Sequence, residues 1–179
     1  MTSSPSEEHQ DKKYLFIDTC IIQLAGSSKK AKAESVQKCL QELAKEGYSL
    51  AISEISLFEN LHGLWGAKAT EAATVLHTYE QKIVSNKVLI VASMIGGLYA
   101  SEKIEGPSVG DKIIGATSFL ERGFVLTENH RDYPNPFFTM VKHLPLYYLE
   151  SHHHRTLDLA IYKPNYLFIE RKVAEKEGE

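Results

Sequence analysis

The sequence predicts an α/β protein in which helices cover both faces of a central parallel sheet. Short, uniformly apolar runs alternate with helical segments, and 179 residues suit one domain with an ordinary core. Strands that are buried on both faces give continuous apolar runs, whereas half-exposed strands alternate apolar and polar residues. The pattern therefore favours a three-layer α/β/α sandwich, followed by a C-terminal β extension.

The first half supplies the alternating elements. The apolar run at 14–17 predicts a strand that ends at Asp18, and apolar positions at helical spacing predict a helix over 31–46 that stops at Gly47. Ser53 can cap the next helix. The remaining elements predicted here are strands at 49–52 and 87–91 and helices at 53–64, 67–84 and 94–105, the last interrupted by Gly96 and Gly97.

In the second half, Gly110 and Asp111 open a helix that stops at Gly123, and the strand 124–127 leads into a loop. The tail differs in character: three short segments resemble edge strands, with a turn at Pro164. These segments are 144–149, 157–162 and 166–169, before a charged, frayed end at 171–179. We therefore divide the chain into a disordered lead (1–12), a main domain (13–142) and a β extension of that domain (143–179).

Composition excludes several classes of protein. Hydrophobic residues make up 43% and charged residues 24% of the chain, which is typical of globular proteins. No apolar stretch approaches the roughly 18–20 residues that span a membrane, and the polar N-terminus lacks the apolar segment of a signal peptide. Cys20 and Cys39 are expected to be free, buried thiols. We therefore expect a cytoplasmic protein without a membrane partner.

Three aspartates fall where an open α/β sheet binds its ligands, at the carboxyl ends of parallel strands. Asp18 follows the first predicted strand, Asp132 follows the fourth by a short loop, and Asp111 opens the helix between them. Each also has an ordinary explanation, as a strand-end residue, a turn residue and a helix cap respectively. Their combination, rather than any one of them, indicates a shared site.

Glu59 is the fourth candidate. The helical arc that contains Phe58, Leu61 and Trp65 is expected to pack on the sheet, which would place Glu59 at the margin of a buried face. A carboxylate there needs a partner or a cleft. Four carboxylates in one pocket would repel, and bound Mg²⁺ or Mn²⁺ would remove the conflict and activate a water for phosphodiester hydrolysis.

Four segments resemble the motifs of PIN-domain ribonucleases. They are Tyr-Leu-Phe-Ile-Asp-Thr at 14–19, Ser-Glu-Ile-Ser-Leu-Phe-Glu-Asn-Leu at 53–61, Gly-Asp-Lys-Ile-Ile-Gly-Ala-Thr at 110–117 and Leu-Thr-Glu-Asn-His-Arg-Asp-Tyr at 126–133. No motif is specific by itself, but the four occur in the family's order and span residues 14 to 135. The resemblance implies a PIN-like fold, dependence on Mg²⁺ or Mn²⁺, and endonucleolytic cleavage of RNA.

The resemblance also assigns residues and partners. It makes Asp18, Glu59, Asp111 and Asp132 both catalytic residues and metal ligands, although Asn129 is an alternative to Asp132 as the fourth. The expected supporting residues are Thr19, Thr127 and Asn129, and Arg131 is a candidate contact for the scissile phosphate or a plain surface residue. Because toxins of toxin–antitoxin pairs share these motifs, the expected partners are RNA, an antitoxin protein and a second copy of the chain in a homodimer.

Two other functions stay open. The net charge of −3 lacks the basic excess usual in nucleic-acid binders, and the C-terminal extension offers an edge for protein contacts. Both features are compatible with a non-catalytic PIN-fold module that binds RNA or a protein partner. A metal-dependent hydrolase of small phosphate esters is a third reading, because fold and metal do not fix the substrate.

Overall fold

A computed structural model describes residues 12–178, which form a six-stranded sheet between two groups of helices. The strands are β1 (Lys13–Ile17), β2 (Tyr48–Ser53), β3 (Glu80–Lys82), β4 (Phe124–Thr127), β5 (Phe138–Glu150) and β6 (His153–Pro164). The helices are α1 (Thr19–Ala25), α2 (Lys30–Lys45), α3 (Glu54–Leu61), α4 (Ala67–Leu76), α5 (Asn86–Ser101), α6 (Val109–Leu120) and α7 (Tyr166–Glu177), with a 3₁₀ turn at His130–Asp132.

The sheet has the strand order β3-β2-β1-β4-β6-β5. The first four strands are parallel, whereas β6 runs antiparallel to β4 and pairs with β5 in a long hairpin. The carboxyl ends of the four parallel strands therefore lie along one edge, where an α/β sheet binds ligands.

Two hydrophobic cores flank the sheet, because alternate residues of each central strand point to opposite faces. In β1, Phe16 packs into one core with the apolar residues of α5 and α6, while Leu15 and Ile17 pack into the other with those of α1 and α2. All three side chains are fully buried. The predicted α/β/α sandwich is thus confirmed, including strands that are apolar on both faces.

The third strand was predicted in the wrong place. The segment 87–91 belongs to α5, and the structure forms its third strand from Glu80–Lys82, within the predicted helix 67–84. The apolar residues 88–91 resemble a buried strand, but Val88 and Ala92 lie one turn apart on the buried face of a helix that Ser85 caps. Gly96 and Gly97 lie within α5 and do not interrupt it.

The tail is also different. The segments 144–149 and 157–162 are strands, as predicted, within the longer strands β5 and β6. In contrast, 166–169 is the first turn of α7, where the side chain of Asn165 accepts a hydrogen bond from the backbone N–H of Phe168 at 3.2 Å. Residues 171–177 continue that helix rather than fraying. The predicted disordered lead lies, except for Lys12, outside the described residues.

Two further features concern the cysteines and the length of the apolar helices. Cys20 and Cys39 are free thiols, as predicted, with Cys39 buried and Cys20 half-buried. No helix in the described range combines the length and the apolar character needed to cross a lipid bilayer.

Gly123 should be intolerant of substitution. A Cβ atom there would lie 2.9 Å from the ring of Phe16 and 3.0 Å from the backbone oxygen of Tyr14. We expect Gly123→Ala to lower the free energy of unfolding by about 1–3 kcal/mol in urea denaturation, because a packed core resists added volume. Gly97→Ala is the matched control: nothing lies within 4 Å of its new Cβ in α5, so stability should rise by about 0.5–1 kcal/mol. Equal effects of the two changes would contradict this packing.

Candidate functional site

Three polar side chains lie side by side at the carboxyl edge of the parallel strands. Phe16 lies opposite Ala51 and Ile17 opposite Leu126, so Asp18 is level with Ser53 at the end of β2 and with Thr127 at the end of β4. All three are buried, with Asp18 only 3% exposed. The strand register therefore places a carboxylate between two hydroxyl groups, under the loops that follow the strands.

Asp18 is held by hydrogen bonds but destabilised by its surroundings. The Thr127 hydroxyl donates to Asp18 Oδ2 at 2.6 Å, and the Cys20 thiol donates to the same oxygen at 3.5 Å. Burial raises the pKa of Asp18, the Thr127 hydrogen bond opposes that rise, and the charge of Asp111 adds to it. The combined effect raises the pKa of Asp18, which means that the ionised carboxylate is unfavourable in this position.

Glu59 reaches the same region from α3. The Thr19 hydroxyl, next in sequence to Asp18, donates to Glu59 Oε2 at 2.5 Å. The other oxygen, Oε1, lies against Gly110, where a Cβ atom would stand only 2.2 Å away. Gly110 therefore allows α6 to approach the Glu59 carboxylate closely, immediately before Asp111.

Asp111 combines a structural role with membership of the cluster. Its Oδ2 accepts a hydrogen bond from the Ser108 backbone N–H at 2.6 Å, while Ser108 Oγ accepts one from the Asp111 N–H at 3.1 Å. This is a capping box at the start of α6. The charge of Asp111 also raises the pKa of Asp18 and Asp132. The cap explains the position of Asp111 without removing it from the acidic site.

Asp132 is the member whose ionisation is most perturbed. It closes the 3₁₀ turn and is 6% exposed. Burial first, and then the charges of Asp111 and Asp18, raise its pKa to about 6. Asn129, the alternative fourth residue, is exposed, and its backbone N–H donates to Thr127 Oγ1 at 2.8 Å. Of these two residues, Asp132 is the buried one, and its pKa responds to the charges of Asp111 and Asp18. Arg131, beside it, is exposed.

Several residues near the site were not predicted from the sequence as parts of it. Burial raises the pKa of Tyr133 and Tyr99, and the charges of Asp111 and Asp132 raise both further. The Tyr133 hydroxyl and Ser53 Oγ are buried and have no hydrogen-bond partner within residues 12–178. Burial and the Asp18 charge raise the pKa of the Cys20 thiol to about 12, so it stays protonated. The sequence pattern could have indicated Ser53, because it stands at the end of a strand as Asp18 does. It could not have indicated Tyr99, which lies in the middle of a helix.

The face of α3 was predicted incorrectly. Phe58 and Trp65 were expected to pack on the sheet, but they are 62% and 86% exposed. The helix ends at Leu61, so Trp65 lies beyond it, and Ser56 is the fully buried residue of α3. Glu59 still reaches the site, because its position depends on Thr19 and Gly110 rather than on the predicted apolar arc.

The donor set fits a hard divalent cation in its chemistry. It consists of four carboxylates, of which Asp111 raises the pKa of both Asp18 and Asp132, and such ions prefer oxygen ligands. The side-chain positions are not a finished site: within residues 12–178, no group of three or more His, Cys, Asp or Glu side chains is placed to hold a metal ion. Two of the four carboxylates are turned to other partners, Asp111 to Ser108 and Glu59 to Thr19.

Comparison with known proteins identifies the fold. No family model matches the chain, and no curated protein matches it. The chain is similar to a toxin–antitoxin complex from Klebsiella pneumoniae, with 24% identity and a TM-score of 0.50 over 68% of this chain and 92% of that chain. It is also similar to VapBC2 from Rickettsia felis bound to a DNA fragment from their promoter, with 17% identity and a TM-score of 0.50 over 65% and 88% of the respective chains. At these identities the likeness shows the fold alone, which agrees with the predicted α/β/α sandwich.

The raised pKa of Asp132 predicts how stability depends on pH. Its folded value of about 6 lies above its ordinary value of 3.8, so the folded protein holds the proton more tightly than the unfolded chain. In metal-free buffer, ionisation of Asp132 therefore lowers the free energy of unfolding as the pH rises from about 4 to about 6. The full decrease is present above that range. We expect Asp132→Asn to raise the free energy of unfolding near pH 7 by about 1–2 kcal/mol.

The measurement is urea denaturation of both proteins in a chelating buffer, near neutral pH and near pH 4. The difference between Asp132→Asn and the parent should be much smaller at the acidic end, because the parent's Asp132 is then protonated in the folded protein and about half protonated in the unfolded chain. A difference of the same size at both pH values would show that the substitution acts through packing and not through charge.

Proposed function

We propose that this protein is a divalent-metal-dependent endoribonuclease of the PIN type, which hydrolyses phosphodiester bonds in RNA. One observation carries the proposal: the charges of Asp111 and Asp18 act on Asp132, and Glu59 contacts Thr19 and Gly110, the chain neighbours of Asp18 and Asp111. The residue order, with the four motifs that resemble PIN ribonucleases, supports it further. Mutual repulsion of buried carboxylates is a cost that a structural role alone does not require.

Mg²⁺ or Mn²⁺ is the cofactor we propose, held by the four carboxylates. Asp111 and Glu59 would then turn from Ser108 and Thr19 toward the ion. When bound, such a cation lowers the pKa of a coordinated water and stabilises charge on the phosphate. Tyr99 and Tyr133 are buried close enough for the aspartate charges to act on them, and a low-dielectric environment of this kind strengthens charge interactions.

The residues around the carboxylates orient them. Thr127 fixes Asp18 through a 2.6 Å hydrogen bond, and Thr19 fixes Glu59 through one of 2.5 Å. Orientation of this kind by neighbouring hydrogen bonds is typical of metal-binding carboxylates. Asn129 supports the site through its backbone N–H, which donates to Thr127 Oγ1. Arg131, exposed beside Asp132, is our candidate contact for the scissile phosphate.

The proposal includes an antitoxin as the protein partner, with this chain as the toxin. One of the solved structures to which the chain is similar is a toxin–antitoxin complex, and another is VapBC2 bound to a DNA fragment from their promoter. An open groove of about 900 Å³ between α1, α2 and α4 would accept an apolar peptide segment. Its apolar walls include Ile22, Leu40, Leu50, Val75 and Leu76. Occupation of this groove would leave the carboxyl edge of the strands to RNA.

Cleavage of single-stranded RNA in Mg²⁺ or Mn²⁺ tests the proposal. We expect Asp18→Asn and Glu59→Gln each to reduce the cleavage rate by about 10²-fold or more, since metal-site residues contribute several kcal/mol to catalysis. Asp18→Asn should fold at least as stably as the parent, because it removes a charge whose burial is unfavourable. Glu34→Gln is the control, since Glu34 is an exposed residue of α2 that pairs with the exposed Lys30, and it should cleave at the parental rate.

Other outcomes decide between the remaining functions. If Asp18→Asn cleaves as fast as the parent, the site assignment is wrong. If the purified parent neither cleaves RNA nor binds Mn²⁺, the non-catalytic binding module replaces the nuclease. Hydrolysis of a small phosphodiester such as bis-p-nitrophenyl phosphate, without cleavage of RNA, would instead identify a small-ester hydrolase.

A further inference from the structure

Two side chains of β6 reach the 3₁₀ turn His130–Asp132, which carries one of the four carboxylates. The strand pairing brings them close, because β6 runs antiparallel to β4 and Ala160 lies opposite Thr127, the last residue of β4. Asp158 and Tyr162 lie two residues to either side of Ala160, so their side chains share its face of the sheet. Both contact His130, the first residue of the turn.

Tyr162 contacts the chain on both sides of Asp132. Its hydroxyl lies 2.9 Å from Nδ1 of His130, two residues before Asp132. Its ring stacks on the ring of Tyr133, which directly follows Asp132, with the ring centroids 6.0 Å apart and the planes at 28°. Both tyrosines are buried. Asp132 therefore lies between two residues that the same side chain of β6 holds.

Asp158 acts on the other nitrogen of His130. Its Oδ2 lies 3.4 Å from His130 Nε2, in a close polar contact rather than an aligned hydrogen bond. Its Oδ1 is hydrogen-bonded to His143 Nε2 of β5, and this bond is the main cause that lowers the pKa of Asp158. An ionised carboxylate beside Nε2 favours the tautomer of His130 with its proton on that atom. Nδ1 is then free to accept a hydrogen bond from the Tyr162 hydroxyl.

The turn needs support from outside, because the surroundings of Asp132 oppose its charge. Burial and the charges of Asp111 and Asp18 make the ionised carboxylate unfavourable. The backbone of the turn contributes a hydrogen bond from the Asp132 N–H to the Asn129 carbonyl at 3.1 Å, and 3₁₀ turns have poorer hydrogen-bond geometry than α-helices. The contacts from β6 add restraint where the backbone supplies little.

We propose that Tyr162, together with Asp158 acting through His130, is a positioning residue that holds the Asp132 carboxylate in place for a divalent cation. This inference rests on the proposed nuclease function and deepens it, because it gives the C-terminal β extension a role in the metal site. Both side chains act through the turn rather than on the cation itself. Hydrogen-bonded partners behind metal ligands commonly tune metal affinity in this way.

Hydrogen exchange tests the restraint in the metal-free protein. Tyr162→Phe keeps the ring that stacks on Tyr133 but removes the hydroxyl bonded to His130. We expect the Asp132 amide to exchange about tenfold faster than in the parent, while the amides of β4 keep their parental rates. Tyr147→Phe is the matched control, since Tyr147 is 73% exposed on β5 of the same hairpin. An unchanged rate at Asp132 would overturn the inference.

Affinity for Mn²⁺, measured by calorimetry near pH 7, is the second readout. Tyr162→Phe should weaken Mn²⁺ binding about tenfold, which is typical of changes to the residues that orient metal ligands. Tyr147→Phe should bind Mn²⁺ as the parent does. Urea denaturation of the same samples checks that both variants are folded. Parental Mn²⁺ affinity in Tyr162→Phe would show that the hydroxyl serves packing alone and would overturn the inference.

Asp158→Asn is a second variant, on an exposed residue whose replacement the fold should tolerate. It should also weaken Mn²⁺ binding, but loss of a negative charge weakens the attraction of a cation even at a distance. A double-mutant cycle separates the two effects. If both residues act through His130, Asp158→Asn should change Mn²⁺ affinity much less in a Tyr162→Phe background than in the parent. Equal effects in the two backgrounds would overturn the role of Asp158.

Cleavage kinetics separate this inference from the proposed function. At subsaturating Mn²⁺, Tyr162→Phe should lower kcat about tenfold and leave the KM for RNA nearly unchanged, since the hydroxyl acts on the cation site. If Asp18→Asn loses cleavage but Tyr162→Phe keeps the parental kcat and Mn²⁺ affinity, the positioning role is wrong and the nuclease stands. If the parent neither binds Mn²⁺ nor cleaves RNA, both fall.

Discussion

Two buried aspartates, Asp18 and Asp132, and the partly exposed Asp111 interact unfavourably through their charges, and the elements around them hold them there. Asp18 and Asp132 both have raised pKa values, and the charge of Asp111 contributes to each. Like charges in a low-dielectric environment destabilise a fold unless something compensates for them. The hydrophobic cores on the two faces of the sheet supply enough stability to tolerate that cost. A site that is unfavourable when empty is one that gains the most from a divalent cation.

Each carboxylate is placed by an ordinary structural device. The end of β1 places Asp18, a capping box places Asp111, and the close approach of α6 at Gly110 confines Glu59. This explains why every acidic residue had a plausible structural interpretation when considered alone. A capping interaction and a place in a metal site are compatible, because the same carboxylate can serve the helix and, after turning, a ligand. The proposed function rests on the four segments together and not on any single position.

The sequence predicted those features that depend on local pattern. The buried strands β1 and β4 and the residues that follow them were recognisable, because their apolar runs and motif order are local. The strand β3 was not, because its residues, including Glu80 and Lys82, are polar and depend on pairing with β2 and on ion pairs such as the one of 2.9 Å from Lys82 to Glu121. Tyr99 could not be recognised either, since its place near the carboxylates depends on how α5 packs against α6. Trp65 was predicted to be buried against the sheet, but it is exposed, because α3 ends before it.

The most direct test of the account is the proton balance of cation binding. Because Asp132 has a pKa of about 6, the site is partly protonated at that pH, and a bound cation must displace the proton. Calorimetric titration of Mn²⁺ in buffers of different ionisation enthalpy should show release of roughly half a proton per ion near pH 6 and almost none near pH 8. Both the binding and the release should be lost in Asp18→Asn. Absence of Mn²⁺ binding in the parent, or binding with no proton release near pH 6, would contradict the account.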